Sequence, residues 1–306
     1  MSDFRLTILG SSGALPAYGR FTTAQHLALH HHQLLIDCGE GCQHQLRRYE
    51  LSQQKINHIF ISHLHGDHYL GLMGLIFSMH LLRRETDLHI YSLRGLDEII
   101  LTHLRHSRSS LNFKLVLHPL TDEGPVQILE DDHLTVTSFP MDHKIPTVGF
   151  LFREKPRQRP LDKTKLAGVP VEYLNRLKKG EDILDEQGNI IYSSEAHTFP
   201  SPPARSYAYC SDTRPSNKVI EVVKQVDLLY HEATFMNDEL GKAMETRHST
   251  ASEAGMVARE AQAKKLLIGH FSARYKDLLP LLNEARTVFP ETQLAEEGQK
   301  FDITAA

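Results

Sequence analysis

The chain has 306 residues, 41% hydrophobic and 24% charged, with a formal net charge of −4 and no tryptophan. That length fits one large core or two ordinary ones, and the composition argues against disorder for the bulk of the chain. No apolar run approaches the roughly 20 residues needed to cross a bilayer. Met1-Ser2-Asp3-Phe4-Arg5 opens without the apolar stretch of a secretory leader, so no membrane association and a cytoplasmic location are expected. Cys38, Cys42 and Cys210 form no CxxC pair, which suits a reducing compartment and argues against a disulfide framework. Twenty histidines in a near-neutral chain direct attention to metal ligands.

Residues 4–9 alternate as a strand and stop at Gly10-Ser11-Ser12-Gly13. Residues 34–37 form a second apolar run closed by Gly39-Glu40-Gly41, and a third, residues 56–62, runs directly into His63. Behind it, Leu72, Leu75, Ile76, Met79 and Leu82 recur at helical spacing and predict a helix over residues 71–84. Further strands are expected at 88–91, 114–117, 134–139, 148–152, 207–210, 226–231 and 265–268, with helices at 216–225, 250–262 and 277–288. Strands alternating with helices, mixed with strand-only stretches, describe an α/β layered protein. One segment stands apart: residues 153–179 hold nine basic and three acidic side chains, a local excess of +6. Within it, Pro170 and Gly180 bracket a short helix. This reads as an inserted basic arm, although such a run taken alone is more often a solvated charged excursion.

The strongest chemical signal is His63-Leu64-His65-Gly66-Asp67-His68, three imidazoles and a carboxylate at the end of an apolar strand. Imidazole nitrogen completed by carboxylate oxygen, with no cysteine, is a hydrolytic rather than a structural zinc set. On such a loop His63 and His65 point to one side, and Asp67 and His68 reach a second ion. One hexapeptide cannot fill two shells, so further ligands are sought at other strand ends. Met141-Asp142-His143, Ser211-Asp212-Thr213 and Gly269-His270 each follow a predicted strand. Each alone is weak, since strand ends commonly carry polar residues. Together they give His143 to the first ion, His270 to the second, and Asp212 as the bridge between them. Two ions about 3.5–4 Å apart would lower the pKa of a water and stabilise the attacking and leaving oxygens of a displacement.

The HxHxDH motif with downstream His, Asp and His resembles the metallo-β-lactamase superfamily. Five stretches resemble its ribonuclease Z family in particular: residues 36–46, residues 60–68, His231-Glu232-Ala233-Thr234, His248-Ser249-Thr250 and His270-Phe271-Ser272-Ala273-Arg274-Tyr275. The resemblance implies a four-layer αββα sandwich over residues 1–306 as a single domain, with an inserted tRNA-binding arm at about 153–200, and a homodimer. It also implies two zinc ions per subunit and precursor tRNA as substrate. The reaction implied is endonucleolytic removal of the 3′ trailer by metal-hydroxide attack after the discriminator base, leaving a 3′-hydroxyl. Asp67 would orient the nucleophile, and Glu232 and His248 would cooperate at the scissile phosphate, where an imidazolium steadied by a carboxylate can protonate a leaving oxygen. Outside this context His248 would read as a neighbour of the helix-capping Ser249 and Thr250. Arg20, Arg176, Lys178, Lys179 and Arg274 are the expected RNA contacts, the arm residues gripping phosphates with little base specificity.

The chain departs from the family in two places. The Gly-Pro pair of the arm is absent, Gly168-Val169-Pro170 being followed by Val171, and the front loop keeps only Pro16 and Arg20 of Pro-x-Lys-x-Arg-Asn. Of the other histidines, His30-His31-His32 reads as an exposed hairpin turn rather than a metal site, because no carboxylate or fourth ligand accompanies it. His44 is expected to pack behind the site, His231 to be structural or to support the site residues from behind, and Cys38 and Cys42 to be reduced, packed thiols. Two other functions share these features: a hydrolase of the same fold acting on a small phosphodiester or thioester, and a metal-stabilised RNA-binding module without catalysis. The basic arm and the His231–Thr234 and His248–Thr250 stretches speak against the first, and the complete ligand set against the second.

Overall fold

Leu34 and Ile36 face one way and Leu35 the other, and the fold is built on that period-two alternation. The structure, a computed structural model, describes residues 4–305; Met1-Ser2-Asp3, read above as carrying no leader, lie outside the described residues. The first sheet begins with β1 (Phe4–Gly10), β2 (Ala24–Leu29), β3 (His32–Cys38), β4 (His58–Phe60), β5 (Leu88–Leu93) and β6 (Leu115–Leu120). The second begins with β7 (Val126–Glu130), β8 (Leu134–Pro140) and β9 (Val148–Glu154). A small hairpin of β10 (Ile183–Leu184) and β11 (Ile190–Tyr192) intervenes before β12 (Ser206–Cys210), β13 (Leu228–Glu232), β14 (Leu266–Gly269) and β15 (Thr292–Leu294) complete the second sheet. Finally β16 (Lys300–Asp302) returns to pair antiparallel with β1.

Among the described residues the sheet orders are β16-β1-β2-β3-β4-β5-β6 and β15-β14-β13-β12-β9-β8-β7. Strands β3 to β6 are mutually parallel, as are β12 to β15, so their carboxyl ends lie together along one edge of the sandwich. Open parallel sheets bind ligands at that edge. The helices are α1 (Cys42–Arg48), α2 (Gly66–Tyr69), α3 (Leu72–Leu81), α4 (Leu96–His106), α5 (Val171–Lys178), α6 (Ser194–His197), α7 (Asn217–Val222), α8 (Leu240–Thr246), α9 (Ala251–Glu260) and α10 (Leu279–Val288). Inward residues such as Leu6, Ile8, Phe60, Phe150, Phe152, Tyr207 and Tyr209 fill the space between the sheets. Outward Leu35, Ile59 and Ile90 pack under α1, α3 and α4, and outward Ala208, Leu229 and Ile268 under α7, α9 and α10. These clusters make the four layers αββα. Phe60 alone meets Phe150 and Phe152 across the sheets with ring centroids 5.4 Å apart. Fully burying such a ring stabilises by about 1.5–3 kcal/mol.

The expected strand at 56–62 is shorter, because the Ser62 backbone N–H leaves the ladder for the Asp37 carboxylate at 2.7 Å. The expected helix at 71–84 spans Leu72–Leu81 and ends before Arg83, whose φ is 58°. Strand β2 and helices α4 and α8 carry weaker apolar signatures and emerge only in the fold. His44 faces solvent on α1 and does not pack behind the site; the buried side chain of that helix's polar set is Gln45. Between β9 and β12 the insertion folds on itself: Leu177 and Ile183 are buried apart from the three main clusters. Ser194 Oγ donates to the Leu177 carbonyl and Tyr192 OH to that of Gly168. Its base is closed by Arg205 on the buried Glu154, with Nε donating to Oε2 at 2.7 Å.

Candidate active site

Residues from six chain segments meet at the carboxyl edge. The loop after β4 brings His63, His65, Asp67 and His68, with α2 beginning at Gly66. The loops after β8, β12 and β14 bring His143, Asp212 and His270. Glu232 ends β13 and His248 lies between α8 and α9. Close approach makes this possible: a Cβ on Gly71 would lie 2.1 Å from the Gly39 carbonyl oxygen, so only glycine lets the two loops pass. Asp37 (φ 55°), Arg247 (φ 56°) and His270 (φ 60°) are held in the left-handed region, a strain that persists only where surroundings over-determine it.

The donor atoms of His63, His65, His143 and Asp212 lie within 4.8 Å of one another, as do those of Asp67, His68 and His270 and those of Asp212, His248 and His270. Asp212 therefore belongs to both sides. Its Oδ2 is 3.5 Å from His63 Nε2 and 3.8 Å from His143 Nε2, and its Oδ1 is 3.2 Å from His270 Nε2 and 3.4 Å from His68 Nε2. The imidazoles are anchored from behind. His63 Nδ1 meets Ser62 Oγ at 3.0 Å, His68 Nδ1 meets Asp37 Oδ2 at 2.8 Å, His143 Nδ1 donates to the Arg247 carbonyl at 3.0 Å, and His270 Nδ1 to Thr234 Oγ1 at 2.8 Å. Occupying Nδ1 in this way leaves each Nε2 to face the others.

Those facing nitrogens stand at 3.0 Å (His63 to His65 Nδ1), 3.4 Å (His143 to His65 Nδ1) and 3.3 Å (His68 to His270). Two ligands of one tetrahedral ion with bonds of roughly 2.0–2.1 Å would be about 3.3 Å apart. Asp212 Oδ1 is also a buried oxygen without a hydrogen bond. Both observations fit metal ions between these side chains. Electrostatics agree: burial pushes His63 down to about 4, which keeps its imidazole neutral, the form able to hold a metal. Burial opposes charge on Asp212, yet the imidazoles of His270, His68, His63 and His248 hold its carboxyl well below the usual range. Of these side chains His65, Asp67, Asp212 and His270 border an open cleft of about 380 Å³ lined also by Ala14, Thr22, Glu40 and Leu70. Asp67 Oδ2 accepts the Ala14 N–H at 2.7 Å and lies 3.2 Å from His270 Nε2.

Beside the ligands, His248 Nδ1 lies 2.8 Å from Glu232 Oε1. Glu232 is fully buried and also accepts the N–H groups of Thr213 and Ser249 (3.1 Å each) and of Thr234 (3.0 Å), together with the Thr234 hydroxyl at 2.7 Å. Burial opposes the His248 charge, but Glu232 and then Asp212 outweigh it and raise the imidazole to about 9. Capping is performed by Thr250, which forms a capping box with Glu253 and leaves the His248 ring directed at Glu232. His231 is buried with Nδ1 on the Glu232 carbonyl.

Asp37 joins the site without a signal in the sequence, because nothing in its own segment names its partners. Wholly buried, it accepts the Ser62 N–H and hydroxyl, the Tyr209 hydroxyl at 2.6 Å and His68 Nδ1, and so fixes the His68 ring. Thr234 and the Arg247 carbonyl are the comparable anchors of His270 and His143. Losing such an anchor typically weakens metal affinity by about 10–100-fold. Asp37→Asn is expected to do so in a chelator competition titration; an unchanged affinity would refute the anchoring role. The expected RNA contacts lie outside the ligand cluster. Arg20 Nη2 donates to the Tyr275 carbonyl at 2.7 Å and covers the Tyr18 ring, while Arg274 pairs with Glu239 over the Phe235 ring. On α5 and its end, Arg176 pairs with Glu181 at 3.0 Å, Lys178 is half-buried and Lys179 is exposed.

The fold and this edge define a metallo-β-lactamase fold protein. The metallo-β-lactamase fold protein YhfI of Bacillus subtilis superposes with a TM-score of 0.70 at 20% identity, covering 98% of this chain and 100% of that one. A family model described as "Anti-Pycsar protein Apyc1" matches residues 4–156, the half that carries the histidine loop. The chain belongs to the ribonuclease Z family. It is 47% identical over 305 residues to ribonuclease Z of Bacteroides thetaiotaomicron, covering 99% of this chain and 96% of the relative. The structure of human tRNase Z, short form, matches with a TM-score of 0.73 at 26% identity, covering 98% of this chain and 100% of that one.

Proposed function

We propose that the chain is a metal-dependent endoribonuclease that removes the 3′ trailer of precursor tRNA, cutting after the discriminator base and leaving a 3′-hydroxyl. The observation that carries this reading is the sharing of Asp212 between two ligand groups beside the His248–Glu232 pair, in a chain of the ribonuclease Z family. His63, His65 and His143 with one oxygen of Asp212 would hold one ion, and Asp67, His68 and His270 with the other oxygen a second. Zinc is the assigned metal, two ions per subunit, in keeping with an all-nitrogen and oxygen donor set. Ions held there would supply a hydroxide nucleophile at neutral pH and neutralise charge on the phosphate. Asp67, fixed by the Ala14 N–H, orients the attacking water. His248, kept protonated by Glu232, donates its proton to the 3′ oxygen as the phosphorus–oxygen bond breaks.

The insertion at about 153–200 is taken as the tRNA-binding arm of a single domain, with Arg176, Lys178 and Lys179 on phosphates and Arg20 and Arg274 nearer the cut. Replacing Arg176, Lys178 and Lys179 together by alanine tests this. The expected result is weaker tRNA binding whose salt slope is shallower by about one per lost phosphate contact. Hydrolysis of a small model phosphodiester should be unaffected; equal losses on both substrates would sink the arm's role, and robust diester hydrolysis without any tRNA cleavage would favour a small-molecule hydrolase. A homodimer and a cytoplasmic location belong to the same reading. Three free, buried cysteines are consistent with a reducing compartment, and no described helix is long and apolar enough to cross a membrane.

A further inference from the structure

At the end of the sandwich opposite the active site, the turn between β2 and β3 carries His30 and His31, and His32 opens β3. The sequence shows no carboxylate beside them, but the fold supplies one: the turn between β7 and β8, from the other sheet, brings Asp131 and His133 against this turn. The donor atoms of His31, His32 and Asp131 all lie within 4.8 Å of one another. His32 is buried, and its Nε2 pairs with Asp131 Oδ2 at 2.5 Å. The carboxylate is already positioned, because its Oδ1 accepts the N–H groups of His133 at 2.7 Å and Leu134 at 3.0 Å. The His133 ring stands beside that of His31 with centroids 5.2 Å apart. His30 is not available, its Nε2 being 3.0 Å from Glu154 Oε1.

We propose that His31, His32 and Asp131 form a second metal site, separate from the catalytic edge, for a divalent transition ion of the zinc class. Two imidazoles and a carboxylate match the nitrogen and oxygen donors that zinc, nickel and copper take, with zinc the ion named here. The role inferred for this group is structural. It joins the β2–β3 hairpin of the first sheet to the β7–β8 hairpin of the second, and an ion bound only by the folded chain stabilises it by mass action.

The test is zinc stoichiometry on the full-length protein, by native mass spectrometry after equilibration with a buffered zinc supply, for the wild type, His31→Gln and Asp131→Asn. His31 is exposed, so His31→Gln leaves the core untouched. The expected result is one zinc fewer per chain in each variant, with the catalytic complement retained and precursor cleavage unchanged. Zinc should also raise the melting temperature of the wild type further than that of either variant. Equal zinc content and an equal thermal response in all three proteins would show an ion pair only and overturn the proposal.

Discussion

Asp212→Ala is expected to lower precursor cleavage by about a thousandfold or more, equivalent to roughly 4 kcal/mol at about 1.4 kcal/mol per tenfold. The size follows from position. One carboxylate, 2% exposed, lies within 3.8 Å of an imidazole nitrogen of each of His63, His143, His68 and His270. Its removal takes a ligand from both groups at once and leaves buried imidazoles without their anion. Metal content should fall together with turnover. Asp212→Asn keeps the volume but not the charge, so it separates a packing defect from a ligand defect: it should share the loss. A variant within tenfold of wild type, with its metal complement intact, would mean that Asp212 does not bridge.

The second large effect concerns His248. His248→Ala should keep the metals, because neither group of side chains assigned to an ion includes His248, yet kcat should drop by about 10²–10⁴. A structural role would lower stability equally for every substrate, whereas a general acid matters only when the leaving oxygen needs a proton. The defect should therefore shrink sharply on a diester with a nitrophenol leaving group. Glu232→Gln, which removes the charge that keeps His248 protonated, should fall between the two and lower the pH above which activity declines. An undiminished defect on the activated diester would rule out proton donation by His248.

The histidine loop is legible from residue types and spacing alone, because His63, His65, Asp67 and His68 are contiguous and follow an apolar strand. Asp212, His143 and His270 are legible by the same logic, each sitting just past a strand that the sheet pairing brings to one edge. What the sequence conceals is what depends on partners from distant segments. Asp37 looks like any polar strand end until Ser62, His68 and Tyr209 close around it. Asp131 is about a hundred positions from His31, so the carboxylate of that cluster appears only when the two hairpins meet. The arm's charge is visible along the chain but its pairing is not: Glu181, just beyond the basic run, neutralises Arg176. Three-residue edge strands such as β15 and β16 bury too little apolar surface to leave a pattern.

The most direct measurement is to incubate the purified protein with a precursor tRNA carrying a 3′ trailer, with and without chelator, and to map both new ends. Chelator-sensitive cleavage beside the discriminator base, giving a 3′-hydroxyl on the tRNA and a 5′-phosphate on the trailer, is the predicted result. A 2′,3′-cyclic phosphate at the cut, or cleavage indifferent to the chelator, would contradict it.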